Sequence, residues 1–335
     1  MTYSISHTDL DGYASQLIVA SKAKEFNSDL KMFNVNYGKP LTEAIILVLS
    51  EIKEKDSFFI TDLNLDETQA SLIQEALDKT DFIMTVLDHH ETGKTVAAKY
   101  PWYHYDKTKC GTQITFEYFG SPEKFKNIAY FTNLYDLWQM EETDFNKSKC
   151  LNQSLMDRKS IFPKPLSDMQ RDFNFFIIGL VSEALSSCID IQSVEEKVYG
   201  FERLYFDTLG EQSNNTLHSV RIRKMYEEII KQKMYTKVTI NGLTGEVYTG
   251  LSAIFQEYSS LRNNRREDID FVCNINSQGY IGFRSIGNVN VANISKEFFN
   301  GGGHANAAGG SLPGVSEGKR YKENELVSTF IEVVS

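Results

Sequence analysis

Histidine is scarce in this chain, six in 335 residues, and four of the six fall in three short motifs. These are His7-Thr8-Asp9-Leu10-Asp11-Gly12, Asp88-His89-His90 and Gly301-Gly302-Gly303-His304. Imidazole and carboxylate together are the donor set of a hard-to-borderline divalent metal, so the pattern points to a metal-centred active site. In the first motif, side chains at i, i+2 and i+4 project to one side of an extended segment, which lets one loop serve two adjacent ions. Gly12 permits a tight turn into a following helix. The plainer alternative is a solvated loop whose aspartate caps that helix.

Asp88-His89-His90 follows an apolar run, and adjacent histidines there can divide labour, one on metal and one on substrate. A neighbouring carboxylate can fix the imidazole orientation. Two polar loop histidines are the alternative. Asp62 follows Phe58-Phe59-Ile60-Thr61, where an aspartate is often only the cap of the next helix. Asp136 interrupts the apolar stretch Asn133-Leu134-Tyr135-Asp136-Leu137-Trp138. A charge buried there is costly unless it is paired or binds a metal; the alternative is a surface-facing side chain. The run from Gly301 to Gly310 exposes backbone N–H groups that suit a closely approaching anion. The small residues after His304 suit a close-packed turn or a helix start, and a flexible linker fits poorly because His304 breaks the run. Arg284, at the end of an expected strand, offers a planar fork to phosphate. Tyr280 and Phe283 are placed either to stack on a base or in the core, and strand alternation assigns at least one to the core. His104 and His218 read as ordinary surface or packing residues.

The elements that must position these residues alternate between strand and helix, the pattern of a parallel α/β sheet. Strands are expected at 3–6, 31–36, 57–61 and 82–87, with helices at 13–26, 42–53, 67–77, 112–119 and 126–137. His7, Asp62 and Asp88 each come directly after a strand, and the carboxyl ends of strands are where an open parallel sheet binds ligands. A charged helical stretch at 193–234, broken at Gln212-Ser213-Asn214-Asn215, reads as a connector. A second α/β unit follows, with a strand pair over 236–248, a helix at 253–262, strands at 270–275 and 280–285, and helices at 294–299 and 323–334. The domain reading is 1–192, a connector 193–235, and 236–335.

Composition narrows the function. A chain of 335 residues suits two domains, and 41% apolar with 24% charged residues is ordinary for a soluble protein. No apolar run reaches the roughly 20 residues of a membrane span, and the first residues do not read as a signal peptide. The expectation is therefore a cytoplasmic protein that engages no membrane. Cys110, Cys150, Cys188 and Cys273 are scattered, which argues against a structural zinc site or a disulfide framework. A net charge of −10 disfavours a binder of long duplex nucleic acid, whereas a short anionic substrate remains compatible because bound cations supply positive charge locally.

In order and context these motifs resemble the DHH phosphoesterase family. His7-Thr8-Asp9-Leu10-Asp11-Gly12, Asp62 after a strand, Asp88-His89-His90 and Asp136 match its catalytic domain. Gly301-Gly302-Gly303-His304 with Ala307-Ala308-Gly309 resembles its associated C-terminal domain. The resemblance implies an α/β fold: an N-terminal parallel-sheet DHH domain plus a smaller C-terminal α/β domain, with the active site in the cleft between them. It implies a phosphodiesterase with two divalent cations, manganese or alternatively magnesium. His7, Asp9 and Asp62 would hold one ion, and Asp11, Asp62, His89 and Asp136 the other. Asp88 would orient the cluster, and His90 would meet the scissile phosphate or assist the leaving group. Arg284, Gly302, Gly303 and His304 would grip the terminal nucleotide. The short first motif is most similar to short-oligonucleotide phosphodiesterases of the nanoRNase type, the NrnB-like branch, so the expected substrate is a short oligonucleotide or dinucleotide cut to nucleoside monophosphates. The alternatives are a cyclic or linear dinucleotide, a 3′,5′-bisphosphorylated nucleotide, single-stranded DNA cut as an exonuclease would, or a non-catalytic nucleotide sensor. A homodimer is compatible with all of them.

Overall fold

The computed structural model describes residues 1–187, 190–209, 216–264 and 268–335. Cys188 and the polar break Gln212-Ser213-Asn214-Asn215 lie outside the described residues. The chain divides into two compact units, one of Met1–Lys159 with Arg171–Glu202, the other of Ser160–Gln170 with Arg203–Ser335. Among the described residues no helix is long and apolar enough to cross a membrane.

The first unit begins β1 (Thr2–Ser6), α1 (Leu10–Glu25), β2 (Leu30–Asn34), α2 (Lys39–Glu51), β3 (Ser57–Thr61), α3 (Glu67–Leu77) and β4 (Ile83–Asp88). It continues with α4 (Lys94–Ala97), β5 (Tyr103–Tyr105), α5 (Gly111–Tyr118), α6 (Lys126–Asp136), α7 (Phe145–Met156), α8 (Ser167–Ser187) and α9 (Ile191–Thr208), the last two extending past the unit's limits. Its five strands are all parallel, in the order β2-β1-β3-β4-β5. Strand alternation divides the sheet's two faces chemically. Tyr3, Ile5, Phe58, Ile60, Met84 and Val86 build an apolar core with Leu41, Ile45 and Val48 of α2 and Ile73 of α3. The opposite face is mixed, with Ser4, Ser6, Thr61 and Thr85 buried there beside Phe59 and Leu87. There the small polar side chains hydrogen-bond across the sheet and into α1: Ser6 Oγ donates to the Gly12 carbonyl at 2.7 Å, and Gln16 Nε2 donates to the Phe33 carbonyl at 3.1 Å.

The second unit contains α10 (Leu217–Lys231), β6 (Thr236–Ile240), β7 (Leu243–Thr249), α11 (Phe255–Asn264), β8 (Phe271–Ile275), β9 (Tyr280–Ser285), α12 (Val291–Phe298), β10 (Gly302–His304), β11 (Ala307–Ser311) and α13 (Leu326–Val334). Its sheet is mixed, ordered β10-β11-β9-β8-β7-β6, with only β7 and β8 parallel among the described pairs. Phe271, Phe283, Phe299 and Phe330 fill its core, so Phe283 is a packing residue, whereas Tyr280 is half exposed. Beneath that sheet the buried Glu246 carboxylate accepts two hydrogen bonds from Arg262, at 2.8 and 2.7 Å.

Three local details settle or extend the expected elements. Of the two forms open to the residues after His304, Ala305 and Asn306 take the close turn and not a helix start, and the hairpin they close continues as strand β11. The first motif is not extended throughout, since α1 begins at Leu10 and Asp11 sits in its first turn. Short strand β5 was not foreseen from its three residues, which are fewer than a periodicity needs to show.

One glycine is fixed by this packing. A Cβ on Gly12 would lie 2.4 Å from the His7 carbonyl oxygen, a backbone atom that cannot swing aside. Gly12→Ala should therefore cost at least about 2 kcal/mol, within the range for overpacking a close-packed site. Urea unfolding of the two proteins measures this, and equal midpoints would refute it.

Candidate metal centre

Strand order places the candidate ligands before any side chain is considered. The chain adds β2 on one side of β1 and then β3 on the other, so the carboxyl ends of β1 and β3 form the switch point where open α/β sheets bind ligands. His7, Asp9 and Asp11 follow β1, Asp62 follows β3, Asp88 ends β4, and His89 and His90 follow it. Asp136, the last residue of α6, brings its carboxylate to the same place.

The geometry is tight. His89 Nε2 lies 3.4 Å from Asp62 Oδ1, 3.4 Å from Asp136 Oδ2 and 3.6 Å from Asp11 Oδ2. His7 Nδ1 is 2.7 Å from Asp9 Oδ2 and 3.7 Å from Asp62 Oδ2. Asp62 is buried and holds a left-handed backbone, φ 56°, a conformation that is costly outside glycine and concentrates at functional sites. It caps no helix: α3 is capped by Asp66, whose carboxylate takes the Gln69 N–H while the Gln69 side chain takes that of Asp66. Asp9 does both jobs considered for it. Its Oδ1 caps α1 by accepting from Gly12 N at 3.0 Å, while its Oδ2 faces His7. Asp136 is not turned to solvent but towards His89.

The N-terminus of α5 completes the arrangement. Gly111 N and Thr112 N each donate to the Asp11 carboxylate at 2.7 Å, so a helix start whose amides suit an anion holds one of the protein's own. A side chain at Gly111 would come within 2.9 Å of Asp62 Cβ, which is why the helix can approach this closely only with glycine there. Cys110 caps the same helix through its sulfur, 3.4 Å from Gln113 N.

Behind the cluster, buried Asp88 accepts from His90 Nδ1 at 2.7 Å and from the Tyr103 hydroxyl at 2.7 Å. The far side of His90 meets another phenol, Tyr37, with its oxygen 2.8 Å from Nε2. Sequence reasoning missed Tyr37, Tyr103 and the α5 amides. Tyr37 stands in the loop after β2, a strand to which no motif drew attention, and its relevance follows only from the pairing of β2 with β1.

The electrostatics call for a cation. Burial first, and then the Asp11 and Asp9 carboxylates, push the Asp62 carboxyl well above the usual range. The same causes push Asp136 up to about 8. Burial also lowers His89, only partly offset by Asp11. Asp9 is opposed by burial yet held below the ordinary range by its hydrogen bond from His7 and by the His7 charge. Asp62 Oδ2, His89 Nε2 and Asp136 Oδ2 are buried with no hydrogen-bond partner among the described residues. Orphaned lone pairs from carboxylate and imidazole that face one another fit a divalent cation. Two groups of ligand atoms are close enough to hold an ion, His7–Asp9–Asp62 and Asp11–His89–Asp136. A third grouping, Asp62–His89–His90, is weaker, because His90 Nδ1 is already engaged by Asp88.

The glycine–histidine motif lies in the second unit. On adjacent strands His304 pairs with Ala307, and Ala307 with Arg284, so a small residue separates imidazole from guanidinium along one face of the sheet. The Arg284 guanidinium rests 5.8 Å from the Phe255 ring, and Gly302, Gly303 and His304 are all exposed on the edge strand. Asn306 Nδ2 ties the hairpin to the preceding loop through Ser285 Oγ, Gly287 O and Val289 O, at 3.0 to 3.2 Å. His104 packs against Tyr118, and His218 is largely exposed, facing Glu257 at 3.7 Å. Cys110, Cys150 and Cys273 are free and buried.

Comparison with known proteins identifies both units of the chain. Residues 2–138 match the DHH family, N-terminal domain, and residues 247–335 match the DHHA1 domain. A 3′,5′-cyclic-nucleotide phosphodiesterase from Helicobacter pylori is 25% identical over 339 aligned positions, covering 96% of this chain and 95% of its own. The crystal structure of an uncharacterized protein from Helicobacter pylori G27 has the same fold, with a TM-score of 0.82 at 24% identity, over 100% of this chain and 99% of that one. The carboxylate–imidazole cluster lies wholly inside the first matched region and the glycine–histidine hairpin inside the second, and on that footing the chain belongs to the DHH family as a phosphoesterase, a hydrolase of phosphoric ester bonds.

Proposed function

We propose that the chain is a two-metal phosphodiesterase that cuts 3′,5′-phosphodiester bonds in short oligonucleotides and releases nucleoside monophosphates. The observation that carries the reading is the convergence of orphaned Asp62, His89 and Asp136 atoms with Asp9, Asp11 and His7 around one small space. In this reading His7, Asp9 and Asp62 hold one cation, and Asp11, Asp62, His89 and Asp136 the other. Manganese suits the mixed nitrogen and oxygen donors best, with magnesium as the alternative. Bound there, divalent cations offset the carboxylate charge and polarise a phosphoryl oxygen.

The protein's own groups do the rest. Asp88, anchored by Tyr103, orients His90 towards the phosphate. The exposed backbone of Gly302 and Gly303, the His304 imidazole and the Arg284 fork are suited to grip a terminal phosphate or nucleotide. A second reading, a 3′,5′-cyclic mononucleotide as substrate, is favoured by the relative of that name, which matches nearly end to end. Both substrates present the same bond.

A side-by-side assay with Mn²⁺ separates them, using di- to pentanucleotide RNA, short single-stranded DNA, 3′,5′-cyclic AMP and a cyclic dinucleotide. Turnover of the short RNA ahead of the others is expected. Intact RNA with hydrolysed cyclic AMP would install the second reading, and no turnover of any would overturn both. Asp62→Ala should lower turnover by more than about 100-fold, the upper end for loss of a group that merely orients a ligand.

Metal-free protein offers an independent test. A carboxyl whose pKa is raised on folding binds its proton more tightly in the folded state, so stability is fully present below the unfolded value near about 4 and is lost as pH rises through the folded value. With Asp62 and Asp136 both raised, Asp136 to about 8, the metal-free melting temperature should fall from pH 5 to pH 8. Mn²⁺ should restore it most at pH 8, and Asp136→Asn should flatten the slope. A wild-type profile no steeper than that of Asp136→Asn would contradict the assignment.

A further inference from the structure

We propose that Tyr37 is a positioning residue for the phosphoesterase reaction, its hydroxyl and Asp88 together clamping the His90 imidazole at both ring nitrogens. The role rests on the reading of His90 as the group that meets the phosphate.

Ser6 at the end of β1 pairs in parallel with Asn34 at the end of β2, so whatever follows β2 emerges beside the His7 turn. Three hydrogen bonds stitch the two segments together. Val35 N donates to the Ser6 carbonyl at 3.0 Å, Asn34 Nδ2 to the His7 carbonyl at 3.4 Å, and Thr8 Oγ1 to Asn36 Oδ1 at 3.0 Å. Gly38 then turns the chain with φ 74° into α2. Tyr37 is left between a fixed loop and a fixed turn, with its ring laid over the cluster.

Its contacts are specific. The ring centroid lies 4.9 Å from that of His7 and 5.5 Å, edge-on, from that of His90. The hydroxyl reaches His90 Nε2 at 2.8 Å although Tyr37 is 39% exposed and water is at hand. Asp88 takes the opposite nitrogen at 2.7 Å, and Tyr103 occupies its second oxygen. Asp88 holds Nδ1 and the Tyr37 hydroxyl meets Nε2, so both ring nitrogens are engaged whichever partner donates at Nε2. The imidazole is thus fixed in orientation from both ends, and among the described residues Tyr37 is the partner of its Nε2 edge. A phenylalanine would pack against His7 and His90 equally well, so the hydroxyl is the part that packing does not explain.

Tyr37→Phe isolates it. Long-range ¹H–¹⁵N spectra of the metal-free protein, with the His90 signals assigned by their loss in His90→Gln, should show the Nε2 resonance displaced in Tyr37→Phe relative to the wild type at the same pH. With Mn²⁺ and bis(p-nitrophenyl) phosphate, Tyr37→Phe should lower kcat by about 10–100-fold, the usual effect of removing a partner that orients a ligand, with KM within about two-fold. An unchanged Nε2 resonance or an unchanged kcat would overturn the proposal. So would full activity in Tyr37→Phe with loss only in Tyr37→Ala, since that places the effect in ring packing against His7. Wild-type protein inert towards every phosphodiester would remove the function proposed above, while the spectra still decide whether Tyr37 clamps His90.

Discussion

Everything in the first unit bends around one unfavourable act, the burial of carboxylates that repel each other. Asp62 and Asp11 are buried, with Asp9 and Asp136 close by, and no lysine or arginine answers them in the described ion pairs. An uncompensated buried charge costs several kcal/mol, so such a cluster persists only if the fold over-determines it and a cation completes it. The over-determination is visible. The sheet fixes Asp62 in a left-handed conformation, the α5 amides hold both oxygens of Asp11, and Tyr103 with His90 saturates Asp88.

The fold around this cluster shows why few residues suffice. Parallel strands end together, so four short segments distant in sequence deliver side chains to one edge without any long loop. The small polar residues on the mixed face of the sheet let α1 settle directly over β1, and the absence of a side chain at Gly12 brings the helix start close enough for Asp11 to join His7 and Asp9. The mixed sheet of the second unit solves a different problem. It presents glycine backbone on an exposed edge, and a conventional side chain at Gly303 would meet the Ala307 carbonyl at 2.5 Å.

Much of this was legible in the residues. Asp62, Asp88 and His7 stand directly after apolar runs, and strand ends carry ligands in such sheets, so their approximate meeting place follows from pattern alone. Asp136 was legible only as an anomaly, a charge in an apolar stretch, because periodicity does not say which way the last residue of a helix turns. Tyr37 and Tyr103 were not legible at all. Each depends on which strand lies beside which, and β5 is too short to announce itself. The glycine–histidine run lies on an exposed segment, but its conformation depends on β10 pairing with β11 and β11 with β9, a long-range fact.

One small substitution in the usual grammar of helices records the same charge problem from outside the cluster. Helix starts favour serine, threonine, aspartate or asparagine as the capping residue, yet α5 is capped by Cys110. Burial, and then Asp11, push that thiol well above its normal range, so it stays neutral. An aspartate in its place would add one more anion against Asp11, at the position where the helix dipole is already committed to it. The choice of an uncharged sulfur shows that the electrostatic reach of the cluster extends a full layer into the scaffold, and that a helix cap, ordinarily judged by propensity alone, is here constrained by the buried carboxylate its own first turn holds.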